Sequence, residues 1–207
     1  MDIFVEEKRK MILIQQRWQY TWLNDPATTS WTYKEKKDFH HRADTLIWGQ
    51  WSNKYVVSVS GSSSFAKTYK HQDFTLNFDI KWELSKPHWS VEVTKIPKGK
   101  FKTSSVGWSN RKISLDTEDL AVVKRINGGT TYKQYPVSHE FGHATGNSKY
   151  AYTGGHGDEY RSTSAYFSDK KSIMNIGNEL RKRHIDFVLK ELNKMIPNTS
   201  FSYVSHR

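Results

Sequence analysis

Cysteine is absent from the 207-residue chain. Its absence excludes a disulfide scaffold, a thiolate zinc finger, an iron–sulfur cluster and a cysteine nucleophile. It leaves the compartment open, because a protein without thiols suits oxidising and reducing surroundings equally. Any metal site in this chain must therefore be built from histidine and carboxylate side chains.

Long hydrophobic runs are also absent. The longest apolar run is Met-Ile-Leu-Ile at residues 11–14, whereas a bilayer-spanning helix needs about 20 apolar residues. The chain begins Met-Asp-Ile-Phe-Val-Glu-Glu, without the basic start and apolar core of about 7–15 residues that mark a secretory signal. We therefore expect no membrane span and synthesis in the cytoplasm without a signal peptide. Action in the periplasm or outside the producing cell would then need a secretion system, or the chain is an excised domain.

The composition favours one folded domain with a basic surface. Hydrophobic residues are 36 % of the chain and aromatic residues 14 %, and large rings of this abundance exclude global disorder. The length suits a single domain with a real core. The net charge of +11 indicates an anionic partner: nucleic acid, a bacterial envelope or a membrane surface.

Residue spacing predicts an α+β domain. Residues 4–23 have apolar side chains near helical spacing, and a strand over 10–22 is the alternative. Thr32 and Glu35 form a capping-box pattern that predicts a helix to about residue 51. Strands are predicted at 55–59, 74–82, 89–93 and 111–115, and two helices at the His139 region and at about 178–195.

The chemistry-bearing motif is His-Glu-Phe-Gly-His at residues 139–143. Positions i and i+4 share one face of a helix, so His139 and His143 can ligate one ion. Neutral imidazole is a good zinc ligand, and Glu140 would then lie beside the water that zinc activates. The motif thus predicts a Zn2+ site with Glu140 as general base.

Further features follow downstream of this motif. Gly146 lies three residues past the second histidine and allows the helix to stop. A glycine-rich loop leads to Asp158-Glu159-Tyr160, and Met174 lies in a predicted turn before the last helix. A catalytic zinc site needs a third protein ligand, an open position and a supporting floor, and this stretch contains candidates for each.

HExxHxxG followed by a methionine-containing turn resembles the metzincin-type zinc peptidases. The pattern HEFGH…DEY…SIMN is most similar to metallopeptidase domains of bacterial type VI secretion effectors and related toxins. The resemblance covers residues 136–192, and less closely residues 31–40 and 77–82. It implies a twisted mixed sheet, an active-site helix, a C-terminal helix after the methionine turn, and a sheet edge that receives the substrate as an added strand.

One position departs from the metzincin pattern. The third ligand would fall six residues after the second histidine, where this chain has Lys149, which cannot serve. Relatives with DEY behind the glycine align that ligand with Asp158 or Glu159. Glu159 is preferred for its longer reach, and His156 and His184 remain alternatives. Tyr160, next to these carboxylates, is a candidate donor to the oxyanion, and packing or contact with a metal ligand is the alternative role.

The resulting hypothesis is a zinc-dependent peptidase of the antibacterial effector or toxin kind. It divides the single domain into an N-terminal extension (1–30), a helix plus sheet (31–135) and a metal-binding half (136–207). Expected partners are a peptide or protein substrate, an anionic envelope component, and a secretion spike or immunity protein. The alternative is a basic nucleic-acid- or envelope-binding module with a structural metal site, although no nucleic-acid-binding motif is evident.

Overall fold

The fold is described from a computed structural model, which covers residues 1–206. Ten strands are β1 (Asp2–Glu6), β2 (Met11–Asn24), β3 (Tyr55–Gly61), β4 (Asp73–Trp82), β5 (Trp89–Lys95), β6 (Ser105–Gly107), β7 (Lys112–Asp116), β8 (Val123–Asn127), β9 (Thr130–Gln134) and β10 (Thr199–His206). Four α-helices are α1 (Tyr33–Trp51), α2 (Ser64–Thr68), α3 (Pro136–Ala144) and α4 (Asp186–Met195). Short 3-10 turns lie at Thr117–Leu120 and Lys182–Ile185.

Eight of the strands form one mixed sheet. Its order is β10-β3-β4-β2-β5-β7-β6, and β1 pairs with the first part of β2. Strand β2 runs parallel to both β4 and β5, and β7 runs parallel to β5. The remaining neighbours are antiparallel, so the sheet is mixed and the α+β prediction is confirmed.

Helix α1 lies against β4 and α3. Its capping box forms as predicted, because the Thr32 side chain accepts from the Glu35 N–H and Glu35 reaches back to the Thr32 N–H. The helix then buries Phe39, Ala43 and Ile47 along one stripe. This stripe attaches α1 to the core that helix α3, which carries the His-Glu-Phe-Gly-His motif, also shares.

The N-terminal segment corrects one prediction. Residues 4–23 are not a helix: they form β1, a turn at residues 7–10 and β2, which agrees with the alternative prediction of a strand over 10–22. In β2, Ile12, Ile14 and Trp18 are fully buried while their immediate neighbours are partly exposed. This alternation has the period of a strand, and the same apolar residues also fall near helical spacing, which is why the sequence allowed both readings.

The C-terminal part also differs from its prediction. Regular α-helix begins at Asp186 rather than near residue 178, and a final strand, β10, pairs antiparallel with β3. Residues 145–181 contain neither helix nor strand, apart from one isolated bridge between Ser172 and Glu179. We call residues 145–181 the irregular segment. Among residues 1–206, no helix has both the length and the apolar character that crossing a bilayer requires.

Candidate metal centre

Helix α3 presents the motif as the sequence predicts. Pro136 lies at its first turn, where its missing N–H costs nothing. The helix ends at Ala144, and Gly146 follows with φ +111°, a left-handed conformation in which a side chain would strike Phe187. Because His139 and His143 are four residues apart in this helix, they lie on one face, with ring centroids 4.8 Å apart.

Three ligand-type atoms converge at this face. The Nε2 atoms of His139 and His143 are 3.2 Å apart, and Asp158 Oδ1 lies 3.0 Å from the Nε2 of His143. The same Oδ1 lies 3.6 Å from the Nε2 of His139. His139, His143 and Asp158 are the group in residues 1–206 that could hold a metal ion.

These separations suit a tetrahedral zinc ion. Ligand atoms about 2.0–2.1 Å from zinc at tetrahedral angles lie about 3.3 Å from one another. The three separations of 3.0, 3.2 and 3.6 Å bracket that value. Two imidazoles and one carboxylate are also a donor set typical of catalytic zinc.

Hydrogen bonds at Nδ1 orient both imidazoles so that their Nε2 atoms face Asp158 Oδ1. His139 Nδ1 lies 2.6 Å from the Ile173 carbonyl, and His143 Nδ1 lies 2.7 Å from the Asn147 carbonyl. A carbonyl oxygen only accepts, so we assign the hydrogen to Nδ1 in both rings. In neutral imidazoles both Nε2 lone pairs then face the Asp158 carboxylate. Three acceptors at such distances need a cation or a proton between them, which fits a metal site.

The charges of the cluster agree with this geometry. Burial opposes ionisation of Asp158, but the two imidazoles beside its carboxylate outweigh burial and lower its pKa well below the usual value. Burial lowers the pKa of His143, yet Asp158 and Glu140 outweigh it and raise the pKa overall. The centre therefore has a strong attraction for positive charge.

The converging group contains Asp158 and not Glu159, the carboxylate that was preferred from the sequence as the third ligand. The Glu159 carboxylate faces away from the imidazoles and accepts two hydrogen bonds from Arg183, at 2.7 and 2.8 Å. Greater reach gave Glu159 no advantage, because the backbone at residues 158–159 directs the shorter side chain toward α3 and the longer one into the protein.

The other two candidate ligands are also outside the converging group. His184 is buried, with Nε2 3.2 Å from Ser172 Oγ and Nδ1 accepting from the Arg181 N–H. His156 Nδ1 lies 3.4 Å from a Glu159 oxygen. Both histidines thus surround Glu159 rather than the centre formed by Asp158.

Glu140 lies next to the centre on the same helix. Its residue exposure is 7 %, so it is largely shielded. Within residues 1–206, no side chain forms a hydrogen bond or an ion pair with its carboxylate. Its negative charge nevertheless contributes to the raised pKa values of His143 and Tyr160. Glu140 is therefore a carboxylate beside the centre with its acceptor atoms unused by the protein.

Tyr160 also lies at the centre. Its ring centroid is 6.3 Å from that of His139, and the residue is 40 % exposed. Burial, together with the charge and hydrogen bonding of Asp158, raises the pKa of Tyr160 to about 12. The phenol therefore keeps its proton at neutral pH and can act as a hydrogen-bond donor.

Met174 packs against helix α3 at Gly142. It is fully buried, and a Cβ added at Gly142 would lie 2.6 Å from its sulfur and 3.0 Å from the Trp51 ring. The motif glycine thus allows α3 to approach the Met174 turn closely. The neighbouring Ile173 carbonyl is the one that orients His139, so the turn positions a candidate ligand as well as packing the core.

Sequence reasoning missed the residues that shape this turn. The Gln134 Nε2 lies within hydrogen-bond distance of the carbonyls of Ile173, Asn175 and Gly177. Arg183 pairs with Glu159, 24 residues away. No local pattern marks either role, because the partners are distant along the chain.

Comparison with known proteins adds no relative: no protein-family model, no curated protein and no solved structure matches this chain.

Proposed function

We propose that this protein is a zinc-dependent peptidase, with His139, His143 and Asp158 as the metal ligands and Glu140 as the general base. The observation that carries the proposal is the convergence of three acceptor atoms beside a carboxylate that the protein leaves unpaired. A purely structural metal site has no use for such a carboxylate. A bound zinc ion would supply a Lewis acid and lower the pKa of water toward about 7.

The residues of the chain then have distinct tasks. Glu140 accepts a proton as water attacks the scissile carbonyl, and it later delivers that proton to the leaving amine. Tyr160 donates a hydrogen bond to the oxygen that becomes negative, since its phenol remains protonated at neutral pH. His139 and His143 are kept in one tautomer by the Ile173 and Asn147 carbonyls.

The wider role that we propose is that of a secreted bacterial effector acting on a peptide or amide bond in an acidic envelope. It rests on the motif's similarity to metzincin-type and effector peptidases and on the net charge of +11. Expression directed to the periplasm should then cause cell-shape defects, and the Glu140→Gln variant should not. Equal defects from the wild-type protein and from Glu140→Gln would contradict this role.

The test of the peptidase itself is metal analysis and cleavage of a mixed peptide library, followed by mass spectrometry. Glu140→Gln should retain zinc, because Glu140 is not a ligand, and should lose about 10²–10⁴-fold in turnover. Glu6→Gln, an exposed position on β1, is the matched control and should behave as wild type. Cleavage by Glu140→Gln at the wild-type rate would overturn the mechanism.

A further inference from the structure

Glu159, the neighbour of the proposed ligand Asp158, is a carboxylate with no exposed surface. Burial of a charge is costly unless the charge is paired and hydrogen-bonded. Arg183 supplies the pairing in a two-pronged contact, from Nε to Oε1 at 2.7 Å and from Nη2 to Oε2 at 2.8 Å. The pair is therefore ionic at neutral pH.

The guanidinium of Arg183 is itself held from several sides. Its Nη2 also donates to Asp169 Oδ2 at 2.8 Å, and its plane lies over the Tyr166 ring at 4.1 Å. Asp169 in turn accepts from Arg181 at 2.8 Å through each of its oxygens. These contacts connect Glu159 and Asp169, which are ten residues apart in the irregular segment, to the two arginines at residues 181 and 183. The position of the Glu159 carboxylate is therefore determined by a network rather than by one side chain.

The backbone of Glu159 is held as well. Its N–H donates to the Met174 carbonyl at 2.8 Å, and its carbonyl accepts from Asn175 Nδ2 at 3.2 Å. Both partners belong to the turn that also orients His139 through the Ile173 carbonyl. Glu159 is thus attached at its side chain, its N–H and its carbonyl.

Asp158 has much weaker support of its own on the protein side. Apart from the imidazoles, its carboxylate contacts two side chains at the surface. Arg161 Nε donates to it at 3.2 Å from a side chain that is 67 % exposed, and the Tyr160 phenol, in a residue that is 40 % exposed, lies within its hydrogen-bonding range. Exposed ion pairs of this kind contribute little. Because consecutive Cα atoms lie about 3.8 Å apart across a planar peptide, the attachment of residue 159 determines where residue 158 can direct its side chain.

We infer that the Glu159–Arg183 pair is a positioning clamp that aims Asp158 at the two imidazoles. The inference rests on the proposed metal site and adds to it two residues that touch neither metal nor substrate. Groups that orient metal ligands typically affect metal affinity by about 10–100-fold.

The test compares zinc affinity in variants that disturb the clamp to different degrees. Glu159→Gln keeps the shape and loses the charge, and Glu159→Gln combined with Arg183→Met removes the pair without leaving a buried charge. We expect the zinc dissociation constant of both variants to rise by about 10–100-fold. It is measured by competition with a chromophoric chelator, well below the melting temperature of each metal-free protein. The visible spectrum of the Co2+-loaded protein provides a second readout, which a purely structural role would leave unchanged.

Two further variants separate the possible failures. Glu35→Gln is the matched control, because the Glu35 carboxylate is likewise paired with a cation, Lys95 Nζ at 2.6 Å, but lies in α1. Glu35→Gln should leave zinc affinity unchanged, and Asp158→Asn should reduce it more than any clamp variant. If the clamp variants bind zinc within about twofold of wild type or of Glu35→Gln, the clamp is overturned and the metal site stands. If Asp158→Asn keeps wild-type affinity, the metal site itself fails.

Discussion

The sheet and the irregular segment are stabilised in different ways. The sheet has backbone ladders and fully buried apolar side chains such as Leu76 and Phe78. The irregular segment has no ladder, and its shape depends on side-chain amides and arginines that reach its backbone and carboxylates. The difference shows that the scaffold depends mainly on burial, whereas the candidate site depends on a small number of polar contacts with specific partners.

The largest expected effect concerns the sheet. Phe74 is fully buried on β4 and packs against the rings of Phe65 and Tyr69. Phe74→Ala should lower the free energy of unfolding by about 3–5 kcal/mol, because it removes apolar contacts and leaves a cavity. Urea denaturation of the metal-free protein measures this loss. Phe101→Ala, at a position that is 79 % exposed, is the control and should change stability little.

The contrast between the sheet and the candidate site predicts that the sheet core can be weakened without disturbing the metal centre. If Phe74→Ala loses zinc affinity under conditions in which it is still folded, this contrast is wrong.

The two regions should also differ in their response to pH. Burial raises the pKa of Asp119 to about 7, in the turn after β7, although Ser104 donates a hydrogen bond to it. The folded protein then holds a proton that the unfolded chain releases, so stability should fall as the pH rises from about 4 to about 7, by about 2–4 kcal/mol. Glu159 has the opposite sign: its ionised form stabilises the fold, and that contribution is lost only as the pH falls from about 4.5 toward 2.

Asp119→Asn isolates the first of these effects. Urea unfolding midpoints at about pH 5 and about pH 7 should differ less in this variant than in wild type, because the titrating group is gone. An unchanged difference would show that another group is responsible.

The smallest expected effect concerns the irregular segment. Gln134→Leu removes the amide that donates to carbonyls of the Met174 turn, and it leaves the buried carbonyls of Asn175 and Gly177 without that donor. We expect a loss of about 1–3 kcal/mol in the free energy of unfolding, measured by urea denaturation. Gln19→Leu, which removes one exposed hydrogen bond to the Leu84 carbonyl, is the control and should have little effect. Equal losses in both variants would remove the distinction between the two regions.

Local patterns were enough to predict much of the scaffold. The capping box at Thr32 and the alternation of residues 74–82 depend on neighbours in sequence, and both elements form. The HExxH histidines likewise share a helix face because the helix repeat places them there. Residues 4–23 were ambiguous because their apolar positions satisfied two periods at once.

The third candidate ligand could not be predicted in this way. The choice between Asp158 and Glu159 depends on backbone direction in a segment without regular structure, and that direction depends on Arg183 and Asn175. Neither partner is close in sequence, and side-chain length was a poor guide. The pattern located the centre, but tertiary contacts decided which carboxylate faces it.

The separation of His143 and Asp158 has a consequence for detecting such centres. Their atoms are 3.0 Å apart in space although fifteen positions separate them in the chain. The intervening residues contribute no atom to the converging group, and the clamp contacts are made at and after residue 159. Insertions or deletions between Asn147, whose carbonyl orients His143, and Asp158 can therefore vary the spacing while the site persists. A search that demands one fixed spacing after the second histidine would overlook proteins built in this way.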